Sequence, residues 1–147
     1  MPQVRRSALL PYSTSQVFDL VNDIESYPEF LPWCSEAKIV EDEERQVIAE
    51  LTIRKGGVGE RFTTRNLLDR PRTIELELVE GPFRKLSGLW RFTELAEVGS
   101  KVELELDFEM TASLIHKTLG ILFAHAAGTL VDAFCKRARV VYGRGAA

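Results

Sequence analysis

The chain has little of what enzymes are usually built from. It carries only two cysteines and two histidines. No HExxH, no CxxC, no glycine-rich phosphate loop and no nucleophile elbow occurs. His116 and His125 lie nine residues apart in a helical stretch, a spacing that sends them to nearly opposite faces and forbids a shared metal. His125 reads as solvated; His116 points toward the apolar side as either a ligand contact or a satisfied boundary histidine. Neither a metal site nor a catalytic set is expected, and the protein reads as a non-enzyme needing no cofactor.

Export and membrane signals are also lacking. The stretch Met-Pro-Gln-Val-Arg-Arg holds no apolar run of a signal peptide. Elsewhere no apolar run approaches the roughly 20 residues that span a bilayer. Cys34 and Cys135 are therefore expected to be reduced thiols in a cytoplasmic protein. Cys34, in a proline-rich bend, reads as a buried structural thiol rather than a nucleophile. A formal charge of −3 exerts no general pull on nucleic acid, and no DNA partner is expected. The one basic cluster, Lys136, Arg137, Arg139 and Arg144, suits the negative end of a helix dipole. Alternatively it meets phosphates of RNA or of anionic lipid.

What is present is an ordinary globular mixture: 147 residues, 45% hydrophobic and 28% charged. That is the size of one domain, expected to span 1–147. Gln3 to Leu10 reads as a strand ended by Pro11. Ser13 and Gln16 form a capping box for a helix whose apolar face is Val17, Phe18, Leu20 and Val21. The segment Tyr27 to Cys34, rich in proline, breaks that helix and adds one more turn. From about Glu36 to Met110 the period is two. Val47, Ala49, Leu51 and Ile53 form one set, Ile74, Leu76 and Leu78 a second, and Leu86, Gly88, Trp90 and Phe92 a third. Val102, Leu104, Leu106, Phe108 and Met110 complete it, with glutamates 75, 77, 103, 105 and 109 on the wet side. Turns at Lys55-Gly56-Gly57, Asp69 to Arg72, Glu80-Gly81-Pro82 and Val98-Gly99-Ser100 make hairpins, and hence a meander.

From about Ser113 to Tyr142 the period is helical, predicting a helix roughly 40 Å long. Leu119, Phe123, Ala127, Leu130, Phe134, Ala138 and Val141 form its stripe, with Lys117, His125, Asp132, Lys136 and Arg139 opposite. The small residues Gly120, Ala124, Ala126, Ala127 and Gly128 have two readings. Either they leave a cavity lined by Leu76, Trp90, Leu104, Leu106 and Phe108, or they let the helix approach the sheet closely. If Phe62 faces inward, Thr64 and Asn66 do too, placing polar atoms able to orient a carbonyl or hydroxyl. A register shift or bulge would instead turn them to solvent. Outside, Arg61 and Arg65 are placed to pair with Glu50 and with Glu75 or Glu77.

Val21-Asn22-Asp23 and the string Tyr27-Pro28-Glu29-Phe30-Leu31-Pro32-Trp33-Cys34 resemble the signature of the coenzyme Q-binding and ribosome association toxin family of the START-like superfamily. Leu89 to Phe92, Leu104 to Phe108, Ala133-Phe134 and Arg137-Ala138 also fit. The resemblance implies an α+β helix-grip fold, a curved antiparallel sheet of about six or seven strands wrapped around a long C-terminal helix. One or two short helices follow its first strand. It implies an apolar cavity, with ligand contacts from Phe30, Trp33, Phe62, Leu76, Trp90, Leu104, Leu106, Phe108, Leu119, Phe123 and Ala127. Two functions follow from it. One is binding of ubiquinone or a similar isoprenoid lipid as a chaperone supporting respiration, with transient contact at the inner membrane surface. The other is binding of the large ribosomal subunit, blocking subunit joining. Gly81 to Leu86 is similar to the ribosomal branch and Trp33 to the quinone branch. The missing catalytic groups favour ubiquinone, and make an aromatic cyclase or hydrolase of the same superfamily a third, weaker option.

Overall fold

The computed structural model describes residues 3–55, 58–97, 99–112 and 114–143, without the side chains of 55, 58 and 114–116. Gly56-Gly57, Val98, Ser113, the His116 side chain and Arg144, all part of the expectations above, lie outside the described residues.

Strand β1 (Gln3–Leu10) is followed by helix α1 (Thr14–Asn22). Ser13 caps α1 through its hydroxyl while Gln16 reaches back to the Ser13 N–H, the reciprocal box written in the sequence. A 3₁₀ helix, Ile24–Glu29, supplies the extra turn, with Pro28 inside it. A meander of six strands comes next: β2 (Cys34–Asp42), β3 (Gln46–Lys55), β4 (Val58–Asp69), β5 (Thr73–Glu80), β6 (Phe83–Leu95) and β7 (Gly99–Met110). The long helix α2 (Leu114–Tyr142) ends the fold.

All seven strands form one antiparallel sheet in the order β1-β7-β6-β5-β4-β3-β2. The register skips Ser35 and Val40 in β2, Val79 in β5 and Arg84 in β6. Each extra residue bends its strand, and together the bulges curl the sheet around the helix. This is the helix-grip fold that the periodicities and the resemblance predict. Gly99, at φ 129°, makes one corner: a Cβ there would fall 2.1 Å from the Leu10 carbonyl oxygen, so only glycine fits.

Helix α2 lies against β1 and β7, with a lighter contact to β4. A Cβ on Gly120 would meet Met110 at 3.0 Å and one on Gly128 would meet Arg6 at 3.5 Å. At that side of the grip, small residues serve close approach. Val141 departs from the expected stripe and is exposed, while Ala138, one turn earlier on the same stripe, stays buried. Tyr142 makes the docking contact instead, donating to the Gln16 carbonyl at 2.8 Å with its ring 5.5 Å from that of Tyr12. Over Lys117–Tyr142, α2 is long and apolar enough by length and composition to cross a membrane. An unbroken apolar run is absent from it because His125, Thr129 and Asp132 interrupt the sequence.

Candidate functional site

Where α2 pulls away from the middle strands, the concave face is not filled. A cavity of about 80 Å³ remains between α2, the 3₁₀ helix and strands β3 to β7. Of the expected contacts, Trp33, Phe62, Leu76, Trp90, Leu106 and Phe123 line it. Its other walls are Ile24, Tyr27, Ala49, Leu51, Leu86, Leu130 and Phe134, together with Thr64 and Asn66. The cavity thus sits toward the C-terminal half of α2.

Leu104, Phe108, Leu119 and Ala127 do not line this cavity. All four are buried in the core, at 2% exposure or less. Phe108 stands behind the cavity wall, its ring edge-on to Phe123 at 4.7 Å. Phe123 also meets Phe62 and Phe83 at 5.9 and 5.0 Å, so its ring is held from three sides. A second aromatic cluster frames the opposite end: Phe134 touches Tyr27, Phe30 and Trp90 at 5.3 to 5.4 Å, all edge-on. Such geometry fixes rings in place beyond what burial alone achieves.

Two polar side chains are buried here. Phe62, Thr64 and Asn66 all face inward, because the extra residue of the β4–β5 ladder, Val79, sits on β5 and leaves the alternation of β4 intact. The Thr64 hydroxyl donates to Asn66 Oδ1 at 2.8 Å. Tyr27 has its hydroxyl committed to the Val21 carbonyl. Burial, with Cys34 and Asp23 nearby, pushes that phenol above its ordinary range. Burial likewise pushes the Cys34 thiol up to about 11, only partly offset by its hydrogen bond to the Glu36 carbonyl. Both cysteines are buried and free. A raised, buried thiol is a poor nucleophile, as the sequence suggested for Cys34.

Phe30 lies outside the cavity, in an open groove of about 700 Å³ between α2 and residues 29–33. Leu31, Pro32, Leu122, Ala133 and Val140 add apolar surface, while Arg54, His125, Asp132, Lys136 and Arg137 add polar groups. Trp33 borders both spaces, and Phe30, on the groove side, packs edge-on against Tyr27 and Phe134 of the cavity wall, so these two side chains stand between groove and cavity. Among the described residues no group of three or more His, Cys, Asp or Glu side chains is placed to hold a metal. On the outer face Arg61 pairs with Glu50 at 4.0 Å and Arg65 with Glu77 at 3.7 Å, both exposed and weak.

The missed wall residues carried a legible signal. Ala49 and Leu51 belong to the inward set of β3, and Leu130 and Phe134 to the helix stripe. The sequence did not reveal where along the stripe the packing fails.

The chain is 51% identical to the ribosome association toxin RatA of Pseudomonas aeruginosa over 140 residues, 95% of this chain and 97% of that one. It is 26% identical to the mitochondrial coenzyme Q-binding protein of Schizosaccharomyces pombe, over 92% of this chain and 86% of that one. An aromatase/cyclase structure from Streptomyces sp. R1128 superposes with a TM-score of 0.82 at 20% identity, covering 99% of both chains, which shows a shared fold. Residues 10–135 match the family described as polyketide cyclase / dehydrase and lipid transport. With that match and a RatA relative at half identity across nearly its whole length, the chain belongs to this START-like family.

Proposed function

We propose that the protein acts as one non-enzymatic domain that binds an apolar ligand, ubiquinone or a similar isoprenoid lipid, between α2 and the curved sheet. The observation that carries this reading is the cavity: an apolar space within the core that holds a buried polar pair, Thr64 and Asn66. Pockets of that composition hold small apolar ligands oriented by a few polar contacts. The likeness to a coenzyme Q-binding protein supports the choice of ligand. Its space must widen on loading, because at about 80 Å³ it is smaller than the roughly 150 Å³ cavity known to take benzene. Displacing Trp33 joins it to the groove and supplies that room. Mass spectrometry of organic extracts, from protein purified out of its own host, should find a quinone or other isoprenoid lipid in a substantial molar fraction. Recovery of bulk phospholipid alone, at the level of a control protein, contradicts the reading.

A second reading, association with the large ribosomal subunit, is supported by the RatA relatives, at 51% and 45% identity in Pseudomonas aeruginosa and Escherichia coli. Lys136 and Arg139, exposed on α2, are its candidate phosphate contacts.

A further inference from the structure

We infer that the ligand enters head first: a flat, ring-sized head bearing a hydrogen-bond acceptor stops against Asn66 and Thr64, and its hydrocarbon chain leaves past Trp33 into the groove. This deepens the ligand-binding reading and rests on it.

The polar pair sets the direction. Thr64 and Asn66 are each only 6% exposed, and both face the cavity. With Asn66 Oδ1 accepting from the Thr64 hydroxyl, the pair has the amide N–H groups and the threonine oxygen to offer a ligand. A carbonyl of a quinone or similar ring meets the amide. A hydrocarbon chain pushed in first would leave that amide buried against methylenes, which is unfavourable. The volumes agree. An interior of about 80 Å³ must roughly double to take one ring and would have to grow far more for a long isoprenoid chain, whereas the groove offers about 700 Å³.

The groove suits a chain. Its surface is mainly apolar, from Phe30, Leu122, Ala133 and Val140, with Lys136 and Asp132 among the polar groups around it. Among the described residues Trp33 is the one side chain lining both spaces, and it is half-buried, so it is the gate and the point where head and chain meet.

Titration calorimetry on the whole protein tests this with three probes: the ubiquinone head without a chain, its decyl derivative, and decylbenzene, which has no acceptor. Asn66→Leu should weaken the decyl quinone roughly tenfold, the worth of one buried hydrogen bond, and leave decylbenzene unchanged or bound more tightly. Thr64→Val should do the same by a smaller factor, and serves if Asn66→Leu fails to fold. Thr129→Phe, at an exposed groove position, should weaken the decyl quinone and spare the chainless head. Equal loss of quinone and decylbenzene in both β4 variants, or no loss of either, overturns the head-first arrangement while leaving ligand binding intact. So does a Thr129→Phe variant that weakens the chainless head as much as the decyl form. A parent protein that binds none of the three overturns the ligand reading itself.

Discussion

The guanidinium of Arg137 lies 5.0 Å over the ring of Phe30 and 3.1 Å from a carboxylate oxygen of Glu29. This contact ties α2 to the 3₁₀ helix across the groove that all three residues line. It also takes Arg137 out of the basic cluster, because its side chain is 19% exposed and already engaged. Arg137→Ala should cost about 1–2 kcal/mol, from a partly desolvated cation–π contact and lost packing. Glu29→Gln should cost under about 0.5 kcal/mol, since that partner is 62% exposed and solvent screens the pair. Urea denaturation of both variants checks the ranking; equal costs would mean the ion pair, and not the ring, holds the contact.

The ribosomal reading makes its own prediction. If Lys136 and Arg139 meet ribosomal phosphates, the protein should pellet with large subunits at low salt and be released as salt rises. The double variant Lys136→Glu, Arg139→Glu should abolish pelleting without unfolding the chain, both residues being exposed. Pelleting that survives the double reversal removes these two residues from the account. No pelleting by the parent removes the second reading.

Alkaline pH should loosen the fold near Cys34. Its thiol is raised from 9.0 to about 11 by burial, and the Tyr27 phenol moves the same way. A group with a raised folded-state pKa contributes stability that is complete below its unfolded value and lost as pH rises through the folded one. Unfolding free energy should therefore fall between about pH 9 and 11. Cys34→Ala should flatten part of that slope, as read from urea curves at stepped pH. An unchanged slope would mean the thiol ionises alike in both states.

Much of this was legible in the residues. The capping box at Ser13 and Gln16, the alternating strands and the long helix follow from period and turn chemistry, and the structure has them. The inward placement of Thr64 and Asn66 was open, because a bulge on β4 would have reversed it. The bulge falls at Val79 instead, and nothing local in a run of alternating Leu and Glu announces which strand takes the extra residue. Where along the helix the cavity lies was not legible for a related reason. Ala127 and Leu130 share a stripe, yet Leu130 lines the cavity and Ala127, buried at 2% exposure, does not. Which part of a straight helix leaves a curved sheet depends on tertiary geometry that periodicity does not record.

The most direct test of the central claim is a pair of variants, each read by thermal midpoint and by quenching of tryptophan fluorescence on titration with decyl ubiquinone. Ala49→Leu puts three more carbons into the cavity, and Ala127→Phe puts a ring into the buried core outside the cavity lining. Ala49→Leu should hold or raise the midpoint, as cavity filling does, while quenching is lost. Ala127→Phe should cost about 1–3 kcal/mol by overpacking, with its folded fraction still quenched. The contradicting result is the reverse: an Ala49→Leu protein strongly destabilised yet binding quinone normally, which would mean that the ligand does not occupy this space.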